Sequence, residues 1–164
     1  MSRGYYDTAQ ICLNGHLINE RVNTFPPHNQ EYCSLCGAKT ITKCLHCQAD
    51  IRGAYDVPGV AVFGLRIAVP RFCHACGHAY PWTEARLQAA EDLADELDKL
   101  NDEEKTYLKD SVNDIVRDTP QTPVAATRFK RLVAKAGSEA ASMFRDLLVD
   151  IASETAKKII WPGP

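Results

Sequence analysis

Seven cysteines and one histidine in the first half of the chain have the residue types and spacing of metal ligands. Six of the cysteines form three Cys-x-x-Cys pairs, and the seventh, Cys12, is followed four residues later by His16. Structural zinc binds four such thiolate or imidazole ligands in a tetrahedron. The eight ligands predict two complete zinc sites, with no cysteine left over: Cys12, His16, Cys33, Cys36, Cys44, Cys47, Cys73 and Cys76.

The four ligand pairs can form two sites in a sequential, nested or cross-braced order. An internal repeat favours the sequential order, because residues 32–37 (YCSLCG) match residues 72–77 (FCHACG) at the aromatic residue, the cysteines and the glycine. A repeated unit is most simply one zinc ribbon, with two ligands at each end of a β-hairpin. We therefore expect residues 12, 16, 33 and 36 in one site and residues 44, 47, 73 and 76 in the other. A nested site remains an alternative, since seven residues separate Cys36 from Cys44.

The glycines after two of the cysteine pairs are expected to turn the backbone back towards sulfur. Gly37 and Gly77 occupy this position, and a residue without Cβ adopts such a turn at the lowest cost. The turn lets backbone amides donate to the thiolates. Four further histidines are not required once eight ligands are assigned, although each remains a candidate replacement ligand: His28, His46, His74 and His78.

Full coordination shells are typical of structural zinc rather than catalytic zinc. A catalytic ion keeps one position open for water or substrate. The sequence has no His-Glu-x-x-His motif, and no His-x-Glu accompanies Pro-Cys-x-x-Cys as in zinc deaminases. A redox role is the alternative, because the Cys-x-x-Cys motif lowers a thiol pKa. Three such pairs beside Cys-x-x-Gly-His are more typical of a ligand set, so we expect two structural zinc ions, no catalytic residues and no enzymatic activity.

Composition divides the chain into two parts, which predict a double zinc-ribbon domain over residues 1–82 and a helical domain over residues 83–164. The first part contains every cysteine and histidine, and its turn-rich segments separate short β-rich runs at residues 60–63 and 66–69. The second part has apolar residues at helical spacing. The expected fold is α+β, with short β-hairpins followed by about four helices.

Candidate capping residues mark the four predicted helices. They are Thr83, Asn101, Thr122 and Ser138. The fourth helix is expected to run from about residue 139 to residue 160 with a strongly amphipathic face. That face can dock on a partner, mediate self-association or simply form the core of the helical domain.

The charge of the first part does not favour nucleic-acid binding. Residues 1–82 contain seven basic and five acidic side chains, and two zinc ions with seven thiolates bring this part close to a net charge of −1. Nucleic-acid-binding surfaces are strongly basic. We therefore expect a zinc-stabilised protein-interaction or regulatory (adaptor) protein, with a protein partner or self-association through the C-terminal amphipathic helices. A zinc ribbon that binds nucleic acid is the alternative.

The cysteine count and the absence of long apolar runs predict a cytoplasmic location. Residues 1–7 contain no apolar run of the secretory type, and no stretch approaches the roughly 20 apolar residues that span a bilayer. An odd number of cysteines cannot pair completely within one chain, and a reducing compartment favours thiolate ligands over disulfides.

Several motifs occur in an order that resembles a known family. They include ICLNGH at residues 11–16, CSLCGAKTI at 33–41, CLHC at 44–47, IRG at 51–53, FCHACG at 72–77, YPWTE at 80–84 and DIASETAKK at 150–158. With these motifs the chain resembles the domain-of-unknown-function 2321 family. The resemblance implies a bacterial zinc-ribbon protein whose activity is not established. One departure is the long apolar segment at residues 60–69, where the family pattern leads us to expect a turn richer in glycine and proline.

Overall fold

The chain folds as two compact units, Met1–Thr83 and Glu84–Pro164. The computed structural model describes residues 3–163. Small antiparallel sheets lie in the N-terminal region and helices in the C-terminal region, which confirms the predicted α+β class. Within the described residues, no helix is both long enough and apolar enough to cross a membrane.

In the part of the chain that the structure describes, five short strands form two small sheets. Strand β1 (Tyr5–Thr8) pairs antiparallel with β5 (Arg52–Asp56), and β2 (Gln10–Cys12) lies between β3 (Leu17–Asn19) and β4 (Thr40–Ile41). Two- and three-stranded sheets of this size are marginal on their own. The remaining stability of this unit must come from its core and from cross-links between its loops.

The core of the first unit is small and includes two of the predicted metal ligands. Its fully buried aromatic side chains are Tyr80 and Trp82, whose rings stack with centroids 4.7 Å apart. Gly15, at φ +90°, lies so close to Trp82 that an added Cβ would come within 3.0 Å of the ring-bearing carbon. The buried cluster consists of Ala9, Ile11, Cys44, Ile51, Cys73, Tyr80 and Trp82. A core of this size is small for a unit of this length, so further cross-links would add to its stability.

The buried carboxylate of Asp7 stabilises the turn that follows β3. It accepts hydrogen bonds from the backbone amides of Thr8 at 2.6 Å, Asn23 at 3.0 Å and Thr24 at 3.0 Å, and from the Thr24 hydroxyl. Burial disfavours the charged form of Asp7, but the Thr24 hydroxyl and the three amides outweigh it and lower the pKa from its usual 3.8. The carboxylate thus connects β1 to a segment 16 residues away along the chain.

The β-rich runs at residues 60–63 and 66–69 are not strands, which corrects the sequence prediction. No described strand pairs with either run, and Gly64, at φ +78°, interrupts them. Residues 57–66 are all exposed. Ile67 and Val69 pack against the core cluster instead, and the Ile67 amide donates to Glu20 Oε2 at 3.0 Å. Apolar β-branched residues predicted pairing here, but the fold leaves these residues without a partner strand.

Within the described residues, the helical unit contains five helices, where the sequence predicted about four. Helix α1 begins at Pro81, so Thr83 is not its cap; the Thr83 hydroxyl instead donates to the Arg71 carbonyl at 2.9 Å. Asn101 forms the predicted capping box with Glu104. The helices are α1 (Pro81–Asp95), α2 (Asp102–Ile115), α3 (Thr122–Ala136), α4 (Ser138–Leu148) and α5 (Glu154–Ile160).

The predicted fourth helix is interrupted between α4 and α5. Ser153 caps α5, because its side chain accepts from the Ala156 amide at 3.1 Å. The Ser153 amide donates to the Ile115 carbonyl at the end of α2, at 2.9 Å, instead of continuing the helix. The segment contains neither glycine nor proline, so the break depends on a tertiary hydrogen bond that the sequence pattern does not reveal.

Helix α3 is the centre of the helical unit, since it contacts α2, α4 and α5. The Phe129 ring packs edge-to-face against Phe144, with centroids 5.5 Å apart, and against Trp161 at 6.4 Å. Phe144, Leu148 and Ile151, from the predicted amphipathic face, are all buried. This face therefore forms the core of the helical unit.

Candidate metal centres

The structure brings the eight predicted ligands together as two groups of four, in the sequential order. Within each group, the candidate ligand atoms all lie within 4.8 Å of one another. The first group joins the end of β2 and the loop after it to the loop before β4, and the second joins the loop between β4 and β5 to the segment before α1. The groups are Cys12, His16, Cys33, Cys36 and Cys44, Cys47, Cys73, Cys76.

The distances in both groups match a tetrahedral ion and exclude disulfides. In the second group, the Cys44–Cys76 and Cys47–Cys73 sulfur pairs are each 3.7 Å apart. A tetrahedron with zinc–sulfur bonds of about 2.3 Å has sulfur–sulfur edges of about 3.8 Å, whereas a disulfide is about 2.05 Å long.

The first group passes the same test with a histidine nitrogen in place of one sulfur. His16 Nδ1 lies 3.4 Å from Cys12 Sγ and 3.6 Å from Cys33 Sγ, and the Cys12–Cys36 sulfur pair is 3.8 Å apart. A sulfur–nitrogen edge of about 3.6 Å follows from typical zinc bond lengths. Both groups can therefore hold a metal ion, and their geometry is consistent with zinc.

The three Cys-x-x-Cys pairs share one backbone turn. The amide of each first cysteine donates to the carbonyl five residues on, and its own carbonyl accepts from the amide four residues on. The first of these bonds is 2.8 Å at Cys33, Cys44 and Cys73. An isolated β-bridge closes each turn, at Tyr32–Lys39, Lys43–Asp50 and Phe72–Ala79. The repeat predicted from two motifs is therefore threefold at the level of the turn.

Hydrogen bonds from nitrogen to sulfur surround both groups. Backbone amides donate from His16 to Cys12 Sγ at 3.3 Å, from Leu35 to Cys33 Sγ at 3.4 Å and from Ala75 to Cys73 Sγ at 3.4 Å. The side-chain amide of Asn14 also donates to Cys36 Sγ at 3.3 Å. Such bonds stabilise thiolate charge around a metal. The role of Asn14 was not predicted, although its place between Cys12 and His16 was the available signal.

Two thiols of the second group have pKa values that move in opposite directions. Burial opposes the charge on Cys73, but the amides of Ala75 and Cys76 and the neighbouring thiols lower its pKa from 9.0 to about 6. The His78 amide favours the Cys76 thiolate, yet desolvation and the other thiols outweigh it and raise the pKa of Cys76 to about 12. One thiolate therefore forms at the expense of another, and a divalent cation would remove this conflict.

The left-handed position of the shared turn confirms the role predicted for the glycines. Gly37 has φ +74° and Gly77 has φ +76°, and open space surrounds the position of a Cβ at both. Gln48 occupies the equivalent position in the Cys44–Cys47 turn, at φ +63°. Its side-chain amide donates to the Cys44 carbonyl at 3.2 Å, which partly offsets the strained backbone.

We expect Gln48→Gly to raise the free energy of unfolding of the zinc-loaded protein by about 0.5–1 kcal/mol. Glycine removes the left-handed strain, and this gain exceeds the lost side-chain bond and the added freedom of the unfolded chain. Gly77→Ala, the reciprocal control, is expected to lower the same quantity by about 1 kcal/mol. Urea titration in the presence of zinc measures both changes, and a destabilised Gln48→Gly protein would contradict this explanation.

One protein-family model matches most of the chain. The model for an uncharacterized protein conserved in bacteria (DUF2321) matches residues 5–160. The chain belongs to this family. The DUF2321 match covers both ligand groups and nearly all of the helical unit. No curated protein and no solved structure matches the chain.

The remaining histidines lie outside both ligand groups of the DUF2321 chain. His46 and His78 stack on each other beside the second group, with ring centroids 4.0 Å apart and planes 13° from parallel. His28 stacks on Phe25 at 6.0 Å. Within the described residues, no other group of three or more candidate ligands could hold a metal ion.

Proposed function

We propose that the protein is a zinc-stabilised, non-enzymatic interaction or regulatory (adaptor) protein, in which both zinc ions are structural. The observation that carries this proposal is that each ligand group brings four candidate ligand atoms within 4.8 Å of one another. Four protein ligands occupy every position of a tetrahedral ion, so neither water nor substrate has a position to bind.

The role of the ions in this proposal is to hold together a unit with too little core. Cys44 and Cys73 are both ligands and members of the buried cluster, so metal binding and core packing are the same event. Structural zinc contributes its binding free energy directly to folding. The hydrogen bonds from backbone amides to sulfur fix the ligand loops around each ion.

At least three of the seven basic side chains of the first unit have partners within it, which favours a protein over a nucleic acid as the binding partner. Arg21 pairs with Asp56, and Lys43 pairs with Asp50 at 3.2 Å. The Arg52 guanidinium lies 4.7 Å from the centre of the Tyr6 ring. A phosphate-binding surface needs a cluster of available cations.

Substitution of cobalt(II) for zinc tests whether the sites are closed. We expect the purified protein to bind two cobalt ions with tetrahedral visible spectra that do not change when azide or imidazole is added. Full shells leave no position for either small ligand. A carbonic-anhydrase-type site, run as the control, changes its spectrum under the same conditions. A spectral change in this protein would indicate an open position and would favour an enzyme.

A further inference from the structure

The segment of residues 57–66 is a continuous exposed apolar loop. Its first nine residues, VPGVAVFGL, contain no charged or hydrogen-bonding side chain. Phe63 is 88% exposed and Leu65 is 76% exposed, and Val57, Val60 and Val62 are also exposed. Single exposed apolar residues are common in monomeric proteins, but a contiguous stretch of this length marks an interaction site.

Both ends of this loop are anchored to the rest of the first unit. At one end, Asp56 closes β5 and forms an ion pair with Arg21. At the other end, the Ile67 amide donates to Glu20 Oε2, and Ile67 packs against the core. The apolar residues therefore extend from two fixed points, which reduces the conformational entropy that the loop loses on binding.

An exposed aromatic surface adjoins the start of the loop. Tyr6 of β1 lies directly opposite Tyr55 of β5, with ring centroids 4.8 Å apart, and both side chains are about half exposed. Arg52 stacks on the Tyr6 ring. Tyrosine, phenylalanine and arginine are enriched at protein interfaces, and lysine and glutamate are depleted. The loop and this surface together have that composition.

The loop backbone argues against insertion into a lipid bilayer. The Val60 amide donates to the Val57 carbonyl, and no other backbone bond to residues 57–66 occurs in the described part of the chain. Unpaired backbone groups are costly in hydrocarbon, but a protein groove or sheet edge can pair with them. Arg66 is the one charged residue in the loop, whereas surface-binding segments have several cations.

The size of the loop argues against a second copy of the chain as the occupant. A stable interface of standard size involves about 20–30 residues on each side. Two copies of this surface, paired along one edge, each contribute only the ten loop residues with Tyr6, Arg52 and Tyr55. That is fewer than a standard interface needs, and the other faces of the loops would remain in water. A groove encloses the loop from several sides and contributes the remaining contact area itself.

We propose that residues 57–66, together with the Tyr6–Tyr55 surface, dock into an apolar groove of a partner protein, with Phe63 as the central anchor. This inference rests on the proposed interaction function and assigns its surface. The partner recognised in this way has an uncharged, aromatic- or aliphatic-lined groove with backbone groups available at its edge.

The first step of the test is photo-crosslinking in the source cells, with benzoyl-phenylalanine placed at position 63. The full-length protein carries the same probe at position 45 or 124 as exposed controls on the second ligand turn and on α3. We expect position 63 alone to give a discrete protein adduct. An adduct to lipid, to nucleic acid or to a second copy of the chain would overturn the proposal, as would no adduct at position 63. Protein adducts at position 45 or 124 alone would refute docking through the loop but would still support the proposed interaction function. No protein adduct at any position would count against both.

The second step purifies the partner protein found in the adduct and measures its binding to the zinc-loaded chain by calorimetry. We expect Phe63→Asp to weaken the affinity at least about 30-fold, as loss of an interface hot spot does. Val124→Asp makes the same apolar-to-charged change at an exposed residue of the helical unit. This variant is expected to change the affinity less than about 3-fold. Both variants must retain two metal ions and the wild-type melting temperature. Equal affinities for Phe63→Asp and wild type would overturn the proposal.

Discussion

Cys33→Ser is expected to remove one of two zinc ions and to leave the other bound. Cys33 Sγ lies 3.6 Å from His16 Nδ1 in the first group, and the two groups share no ligand. A serine hydroxyl is a far weaker zinc ligand than a thiolate, and the apparent binding free energy of a structural zinc site is about 10–16 kcal/mol. Metal analysis after gel filtration measures the stoichiometry, and calorimetry is expected to show a lower melting temperature for the first unit.

The neighbouring substitution Ser34→Ala is the matched control, because Ser34 is exposed in the same turn and is not a ligand. It should retain both ions. The reciprocal variant Cys73→Ser should lose the second ion and destabilise the protein more than Cys33→Ser, since Cys73 is also part of the core cluster. Loss of both ions from Cys33→Ser would contradict two separate sites.

Asp7→Asn is expected to lower the free energy of unfolding of the first unit by about 3 kcal/mol. Asp7 is 2% exposed, and its two oxygens accept from three backbone amides and the Thr24 hydroxyl. Asparagine has one acceptor oxygen, so its NH₂ group faces buried or partly buried donors that lose their partner. Hydrogen bonds to a charged group contribute about 1.5–3 kcal/mol, and an unsatisfied buried donor costs about 1–3 kcal/mol.

Asp50→Asn provides the control for removing a carboxylate from the same unit. The Asp50 side chain is 60% exposed and its partner Lys43 lies 3.2 Å away, so its loss should cost no more than about 1 kcal/mol. Denaturant titration of the zinc-loaded proteins at pH 7 separates the two effects. Equal stability losses in the two variants would show that the Asp7 network does not hold the turn after β3.

The elements that could be predicted from the sequence are those fixed by local chemistry. The capping box at Asn101 and the left-handed turns at Gly37 and Gly77 each depend on residues within a few positions of one another. Short-range hydrogen bonding decides such features, and the sequence contains both partners in one window. The sequential grouping of ligands joins distant residues instead, and the motif repeated at residues 32–37 and 72–77 predicted it.

The features that sequence analysis missed depend on contacts between distant residues. Residues 60–63 have strand-forming composition, but strand formation requires a partner that this fold does not provide. The break before α5 depends on a bond from Ser153 to Ile115, and Asp7 binds Asn23 and Thr24 across a turn. In the last two cases the deciding partner lies more than ten residues away, where periodicity carries no information.

Native mass spectrometry of the protein, purified without added metal or chelator, tests the central claim most directly. The ligand groups predict a mass that carries two zinc ions per chain, with all seven cysteines reduced. Denaturation in acid should release both ions without changing the mass of the polypeptide. A chain with one ion or none, or a mass reduced by the hydrogens lost in disulfide formation, would contradict the account of two closed zinc sites.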